Sequence, residues 1–194
     1  MRKSRLLLLL PVLLLGACSR GEISTETKAL LENPLYAEWY YNDIVDDLTT
    51  LAIRNDPMLK DAARKAAADA ARKEAAEKSR EVVQQRQKGR LGQFRGPEQI
   101  VEGKALLLGD TLFFGPDFLS IPGPELHVYL SEMLDPREAA FPDASVLDLG
   151  LLKSPYESQN YTIVEPKDLT NYRTVVLWDT KLRRLYAFAQ LQVQ

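Results

Sequence analysis

The chain has 194 residues, with 25 Lys and Arg against 27 Asp and Glu, and a formal net charge of −2. Its single cysteine, Cys18, excludes an intrachain disulfide, and its single histidine, His127, excludes a transition-metal site made mainly of Cys and His ligands. The length suits one domain with an appendage. The sequence contains no recognisable nucleophile–base pair, phosphate loop or metal motif. We therefore expect a protein that is not an enzyme and has no catalytic residues, metal or cofactor of its own.

The N-terminal segment has the layout of a secretory signal. Cations at Arg2, Lys3 and Arg5 precede residues 6–15, which are all leucine apart from one proline and one valine. At about 1.5 Å per residue this run spans about 15 Å, roughly half of the hydrocarbon core of a bilayer. The pattern predicts a signal peptide at 1–17 rather than a membrane-spanning helix.

The end of this segment, Leu15-Gly16-Ala17-Cys18, resembles the lipobox of bacterial lipoproteins. In that family the cysteine thiol is joined to diacylglycerol and the chain is cut just before the cysteine. The resemblance implies lipidation at Cys18 and a protein anchored by lipid to a membrane of the cell envelope. In a Gram-negative host, Ser19 implies the periplasmic face of the outer membrane. An uncleaved signal anchor and a plain secretory signal are the alternatives.

After an expected linker at 18–32, two helix starts are marked by an Asn or Asp N-cap followed by proline at the first helical position. These pairs are Asn33-Pro34 and Asp56-Pro57. They predict helices over 34–54 and 57–88, the second of which ends at Gly89. Together they indicate a helical hairpin over 33–90.

Charge is segregated along this helical part. Residues 22–56 hold eight acids against two bases, and residues 57–90 hold ten bases against five acids. The bases are interleaved with acids and no aromatics lie among them, so we expect no nucleic-acid partner. A possible surface for an envelope-protein partner is an acidic-aromatic helix face. Its residues are Tyr36, Trp39, Tyr40 and Asp43.

The C-terminal half changes character, because short apolar runs alternate with turn signals rich in Gly, Pro and Asp. The candidate strands are 103–108, 111–114, 118–121, 126–130, 146–149, 160–164, 174–178 and 185–191. Eight short strands with regular punctuation are typical of an antiparallel sandwich or barrel. We predict an α+β chain, in which an N-terminal α-helical hairpin is followed by a C-terminal antiparallel β-sandwich at 91–194.

Four separate motifs in this half carry a resemblance to the DM-thirteen domain, also called the electron transfer DM-thirteen domain. They are residues 123–131 (GPELHVYLS), 147–153 (LDLGLLK), 158–161 (SQNY), and 169–172 leading into 175–178 (VVLW). Their order and spacing agree with that family over about 92–191. The resemblance implies a β-sandwich and an electron-transfer role, often alongside haem-binding or sugar-binding DOMON modules.

The redox role proposed for that family rests on a cysteine directly after an Ile-Trp or Val-Trp pair. Asp179 occupies this position here, and a carboxylate cannot cycle between thiol and disulfide. The candidate ligand-binding residues are His127, Tyr129, Trp178 and Asp179. His127 and the two aromatic residues are alternatively framework residues. Oxygen ligands for calcium from Asp148, Asp179 and Glu125 are a further possibility.

These observations lead to two functional hypotheses. The first is a lipid-anchored cell-envelope protein whose β-sandwich is a non-catalytic binding or assembly domain, with the membrane, through Cys18, and an envelope protein as partners. The second is a redox or electron-transfer accessory protein that retains a cofactor such as haem through His127 or through a partner.

Overall fold

The computed structural model of the chain describes residues 23–137, 141–165 and 168–194. The predicted signal peptide at 1–17 and the predicted lipidation site at Cys18 lie outside these ranges. Within them, no helix combines the length and the apolar character needed to cross a bilayer.

The N-terminal part contains three α-helices, so the predicted two-helix hairpin is wrong. They are α1 (Thr25–Leu30), α2 (Pro34–Ile53) and α3 (Ala62–Arg86). Helix α1 lies in the stretch expected to be a linker. Ser24 starts this helix, since its Oγ accepts a hydrogen bond from Thr27 N at 3.1 Å and caps the first turn. The third helix begins later than predicted. Its N-cap is Asp61, while Pro57–Lys60 form a separate 3-10 turn.

Helices α2 and α3 pack against each other through polar contacts as well as small side chains. Arg86 Nε lies 2.6 Å from Glu38 Oε2 in a largely buried ion pair. Ser79 Oγ donates to Asn42 Oδ1 at 2.6 Å. The acidic first segment and the basic second segment therefore meet through at least one specific pair.

The C-terminal part contains eleven described strands. They are β1 (Arg90–Arg95), β2 (Val101–Glu102), β3 (Lys104–Leu108), β4 (Thr111–Phe114), β5 (Leu119–Ser120), β6 (Leu126–Ser131), β7 (Leu147–Leu151), β8 (Gln159–Thr162), β9 (Thr174–Asp179), β10 (Arg184–Gln190) and β11 (Gln192–Val193). All eight predicted strands are present. Strands β1, β2 and β11 were not predicted.

Nine of these strands form one antiparallel sheet that is nearly barrel-shaped, so the prediction of a sandwich is wrong. Its order is β7-β6-β9-β10-β1-β3-β4-β8, with β11 also paired to β1, while β2 and β5 form a separate ribbon. Strand β1 makes the sheet continuous, because Phe94 and Arg95 pair with β10 while the preceding four residues pair with β3. A Cβ at Gly92 would lie 2.6 Å from the Gln190 carbonyl oxygen, so only glycine allows this close approach.

The inward face of the curved sheet holds the main core. Its fully buried residues include Leu112, Phe114, Val128, Leu130, Val175 and Leu177. Strands β7 and β8 are the two ends of the sheet, and Tyr161 on β8 bonds to the segment that follows β7. Tyr161 Oη accepts from Lys153 N at 3.0 Å and donates to Gln159 Oε1 at 2.8 Å. Burial raises the pKa of Tyr161 to about 12, so this phenol stays protonated and can keep donating.

The helical part is fastened to the sheet by Asn33, which is 3% exposed. Its Oδ1 accepts from Leu35 N at 3.0 Å and caps α2, as predicted. Its Nδ2 donates to the Phe114 carbonyl at the end of β4, at 2.7 Å. One side chain therefore starts the helix and docks it.

The substitution Asn33→Asp separates these two roles, because Asp keeps the capping oxygen and loses the donor to Phe114. We expect it to lower the free energy of unfolding by about 1–3 kcal/mol, since a carboxylate then faces a buried carbonyl. Urea unfolding followed by circular dichroism measures this.

The matched control for this experiment is the reverse exchange, Asp56→Asn. This side chain accepts from Met58 N at 2.8 Å and lies on the exposed 3-10 turn. Its replacement should stay within about 0.5 kcal/mol of the parent. Equal effects of the two substitutions would show that the docking bond contributes nothing.

Candidate functional site on the outer face of the sheet

The pairing of β6 with β9 decides which of the predicted site residues meet. The opposed positions are His127 with Trp178, Tyr129 with Val176, and Leu126 with Asp179. Residues directly opposite each other share a face, and neighbours along a strand alternate. His127, Tyr129 and Trp178 therefore lie on the outer face. Asp179 lies on the inner face, so the four predicted residues do not form one site.

The outer face carries a second, smaller hydrophobic cluster, which we call the outer cluster. It consists of Tyr129, Val176 and Phe188, with Phe141, Val146, Trp178 and Leu185 packed against them. The Phe141 ring lies 5.6 Å from the Tyr129 ring and 5.1 Å from the Trp178 ring. Phe141 was not predicted as a site residue because it lies outside any regular strand, where alternation gives no signal.

His127 is held at the edge of this cluster by a carboxylate on the neighbouring strand. Its Nδ1 lies 2.9 Å from Asp148 Oδ2 and 3.0 Å from Oδ1. Asp148 Oδ1 also accepts from Gly150 N at 2.7 Å, which fixes the carboxylate. The imidazole stacks on Tyr129 with ring centroids 5.9 Å apart. With a side chain 20% exposed, His127 has a fixed orientation and retains contact with solvent.

Two ionisable neighbours of His127, Tyr129 and Glu125, have shifted pKa values. Burial is the main cause that raises the pKa of Tyr129, and the Asp148 carboxylate adds to it. The pKa of Glu125 is lowered, first by the hydrogen bond from the Thr180 hydroxyl and then by Lys181. Around neutral pH the site therefore combines the neutral Tyr129 phenol with the charged Glu125 carboxylate.

Asp179 is fully buried and acts within the fold. Its Oδ1 accepts from Leu182 N at 2.8 Å and its Oδ2 from Glu125 N at 3.2 Å. A Cβ at Gly123 would lie 2.6 Å from Oδ2, so the 123–125 turn closes directly over the carboxylate. The side chain joins this turn to the turn between β9 and β10.

The site offers one nitrogen ligand and an aromatic surface rather than a complete metal centre. A hydrogen bond from Nδ1 to a carboxylate is the arrangement that orients metal-binding histidines through Nε2. However, the described part of the chain contains no group of three or more His, Cys, Asp or Glu residues able to hold a metal ion. The three carboxylates suggested as calcium ligands contact separate protein groups instead of one another. Asp148 contacts His127, Asp179 accepts from Leu182 N, and Glu125 pairs with Lys181.

The fold and the site define a small antiparallel β domain that presents a histidine and aromatic residues on its outer face. The family described as Electron transfer DM13 matches residues 93–191, about half of the chain, and the chain belongs to this family. The resemblance over about 92–191 is thus confirmed. Comparisons with curated proteins and with solved structures found no match.

The structural role of Asp179 makes a specific prediction. Asp179→Ala removes the acceptor of two backbone N–H groups inside the fold, so we expect a loss of about 2–4 kcal/mol in the free energy of unfolding. Denaturant unfolding of the purified full chain measures it.

Asp168→Ala is the control for Asp179→Ala. Asp168 also accepts a backbone hydrogen bond, from Thr170 N at 2.9 Å, but it is exposed. Its replacement should cost well under 1 kcal/mol. If the two variants lost the same free energy of unfolding, the stabilisation by Asp179 would not depend on the burial of its carboxylate.

Proposed function

We propose that the protein is a lipid-anchored cell-envelope protein whose DM13 domain is a non-catalytic binding or assembly module. The observation that carries this proposal is the division between the two faces of β9. The partly exposed Trp178 and His127 lie on the outer face beside the buried Tyr129, whereas Asp179, at the position of the thiol in the resembled domain, is buried and bonded to backbone. The domain therefore has a partly exposed outer face available for contacts and no thiol of its own.

The outer face has the composition of a protein-binding surface. Aromatic residues and arginine are enriched at the centres of interfaces, and Arg137 lies 5.1 Å above the buried Phe188 ring, next to the partly exposed Trp178 of the outer cluster. Leu151, which is opposite His127 on β7, is 58% exposed. A partner that covered Leu151 and Trp178 would bury apolar area around a fixed His127.

The anchor in this proposal rests on the lipobox-like sequence that ends at Cys18. Each buried methylene of an acyl chain contributes about 0.8 kcal/mol, so several chains hold a protein on a membrane permanently. In a Gram-negative host, Ser19 after the lipidated cysteine would direct the protein to the periplasmic face of the outer membrane. The partner is then another protein of the envelope.

Site-specific crosslinking in intact cells tests this proposal. A photoreactive amino acid at position 151 should give one discrete adduct, and Trp178→Ala should reduce its yield about tenfold, because an interface tryptophan often contributes 2 kcal/mol or more. A tagged fatty acid supplied to the cells should label the parent protein, and Cys18→Ser should abolish this labelling. Labelling that persists in Cys18→Ser, or a parent that takes up no label, would exclude a lipid anchor at Cys18.

The control position for the crosslink is Ile53 at the end of α2, which is 75% exposed and lies far along the chain from the outer cluster. No adduct of the same size should form there. An adduct that forms equally at both positions, or that is unaffected by Trp178→Ala, would contradict a partner at the outer cluster.

A second candidate function is electron transfer with a cofactor bound through His127. It is favoured by the family match and by the His127–Asp148 pair, which leaves Nε2 as the nitrogen to bind iron. Haem would supply a one-electron couple. His127 Nε2 would hold the iron, and Asp148 would fix the orientation of the imidazole ring.

The absorption spectrum of the full chain, purified from haem-replete cells, separates the two candidates. Electron transfer through haem predicts an intense Soret band that disappears in His127→Ala. In Asp148→Asn the band should remain, and the reduction potential of the haem should change. The proposed binding module predicts a colourless protein. A band that persists in His127→Ala would mean that this histidine is not the ligand.

A further inference from the structure

A cleft separate from the outer cluster lies where the helices meet the sheet. It has a volume of about 450 Å³, within the range of small-molecule sites. One wall is formed by α1 and α2, with Leu30, Tyr36 and Trp39, and the other by the loop after β4 with Pro116. The cleft is positioned by the same Asn33 hydrogen bonds that dock α2.

Two aromatic rings in this cleft contact each other. The ring centroids of Tyr36 and Trp39 are 5.4 Å apart and the planes are tilted by 54°. Tyr40 stacks on Tyr36 with ring centroids 6.2 Å apart, which supports the wall. Trp39 is 49% exposed even though it is the largest type of side chain. The face of an indole ring is the strongest aromatic partner for a cation.

The charge of the cleft is complementary to a cation. Asp117 and Glu157 are the charged residues that line it, and both are exposed. Lys104 lines the neighbouring groove, which shares Trp39 and Asp117, but does not line the cleft itself. Two carboxylates beside two aromatic faces attract a positive ligand both by charge and through the rings.

The loop that carries Glu157 is held in a fixed conformation at the cleft. Glu157 has a φ of 72°, a left-handed conformation that is unfavourable for a long side chain. Its N–H donates to the Phe118 carbonyl at 3.0 Å, which holds this conformation. The Glu157 side chain is exposed, so its carboxylate is accessible to a ligand in the cleft.

We propose that this cleft binds a small organic cation, namely a quaternary ammonium or protonated amine of about the size of choline. The cationic group lies against the exposed Trp39 ring, next to Tyr36, with Asp117 and Glu157 as counter-charges. The site is independent of the proposed role of the outer cluster.

The chain has two tryptophans, Trp39 in the cleft and Trp178 in the outer cluster, so its indole N–H signals form a built-in comparison. The experiment titrates the ¹⁵N-labelled full chain with choline and follows both signals by NMR. The signal assigned to Trp39 through Trp39→Phe should shift in a saturable way, and the Trp178 signal should not. The uncharged isostere 3,3-dimethyl-1-butanol should leave both in place.

Charge-removing variants test the counter-ions. Asp117→Asn and Glu157→Gln should each weaken choline binding about two- to fivefold, and the double variant about tenfold. Asp47→Asn, on the exposed part of α2, should bind as the parent does. Since all three residues are exposed, these changes should not disturb folding, and the unshifted Trp178 signal checks this in the same spectrum.

Several results would overturn the proposal. One is that the isostere shifts the Trp39 signal as choline does, which would indicate a merely apolar cleft. Another is that choline shifts neither signal, or that a neutral sugar shifts Trp39 while choline does not. Unchanged affinity in the double variant would exclude the two carboxylates as counter-charges. None of these results bears on the crosslinking at position 151.

Discussion

The side-chain amide of Asn33 makes the two hydrogen bonds on which the arrangement of helices and sheet depends. Because its Oδ1 caps α2 and its Nδ2 reaches the Phe114 carbonyl, the first turn of the helix is fixed on the end of β4. Leu35 and Ala37 are then buried. The helical period places Tyr36 and Trp39 away from that contact, where they form a wall of the cleft. A polar contact thus determines where the aromatic rings are presented.

Within the β domain, the continuity of the sheet depends on β1, because this strand pairs with β10 and with β3. Gly92 allows the close approach of β10, and Arg90 fastens the loop before β9. Its Nη2 donates to the Leu169 carbonyl at 2.6 Å and its Nη1 to the Thr170 carbonyl at 3.2 Å. Burial lowers the pKa of Arg90, yet the guanidinium stays charged, and the carbonyl dipoles compensate its partial desolvation. Through these contacts one continuous sheet forms where two layers were expected.

Much of the β domain could be predicted because its short apolar runs are separated by Gly, Pro and Asp turns. Strand β1 was missed since its sequence, RLGQFR, has charged ends and an internal glycine, which indicate a loop when read alone. Alternation also assigns residues to a face without stating which strand is the neighbour. A sandwich and a nearly closed barrel have the same pattern, and only the pairing of β1 with both β10 and β3 separates them. Asp61 was missed as a cap because Asp56-Pro57 gave a stronger local signal.

The candidate site was predictable in its residues and not in its geometry. His127 and Tyr129 are two apart on one strand, so their shared face follows from the sequence, whereas their meeting with Trp178 and Asp148 depends on register. The separation of Trp178 from Asp179 follows from alternation alone, since neighbours on a strand point to opposite faces. A thiol at position 179 would share this inward orientation, under the turn at Gly123. In the proposed electron-transfer role, a cofactor on the outer face would therefore be bound through His127 rather than at the position of the missing cysteine.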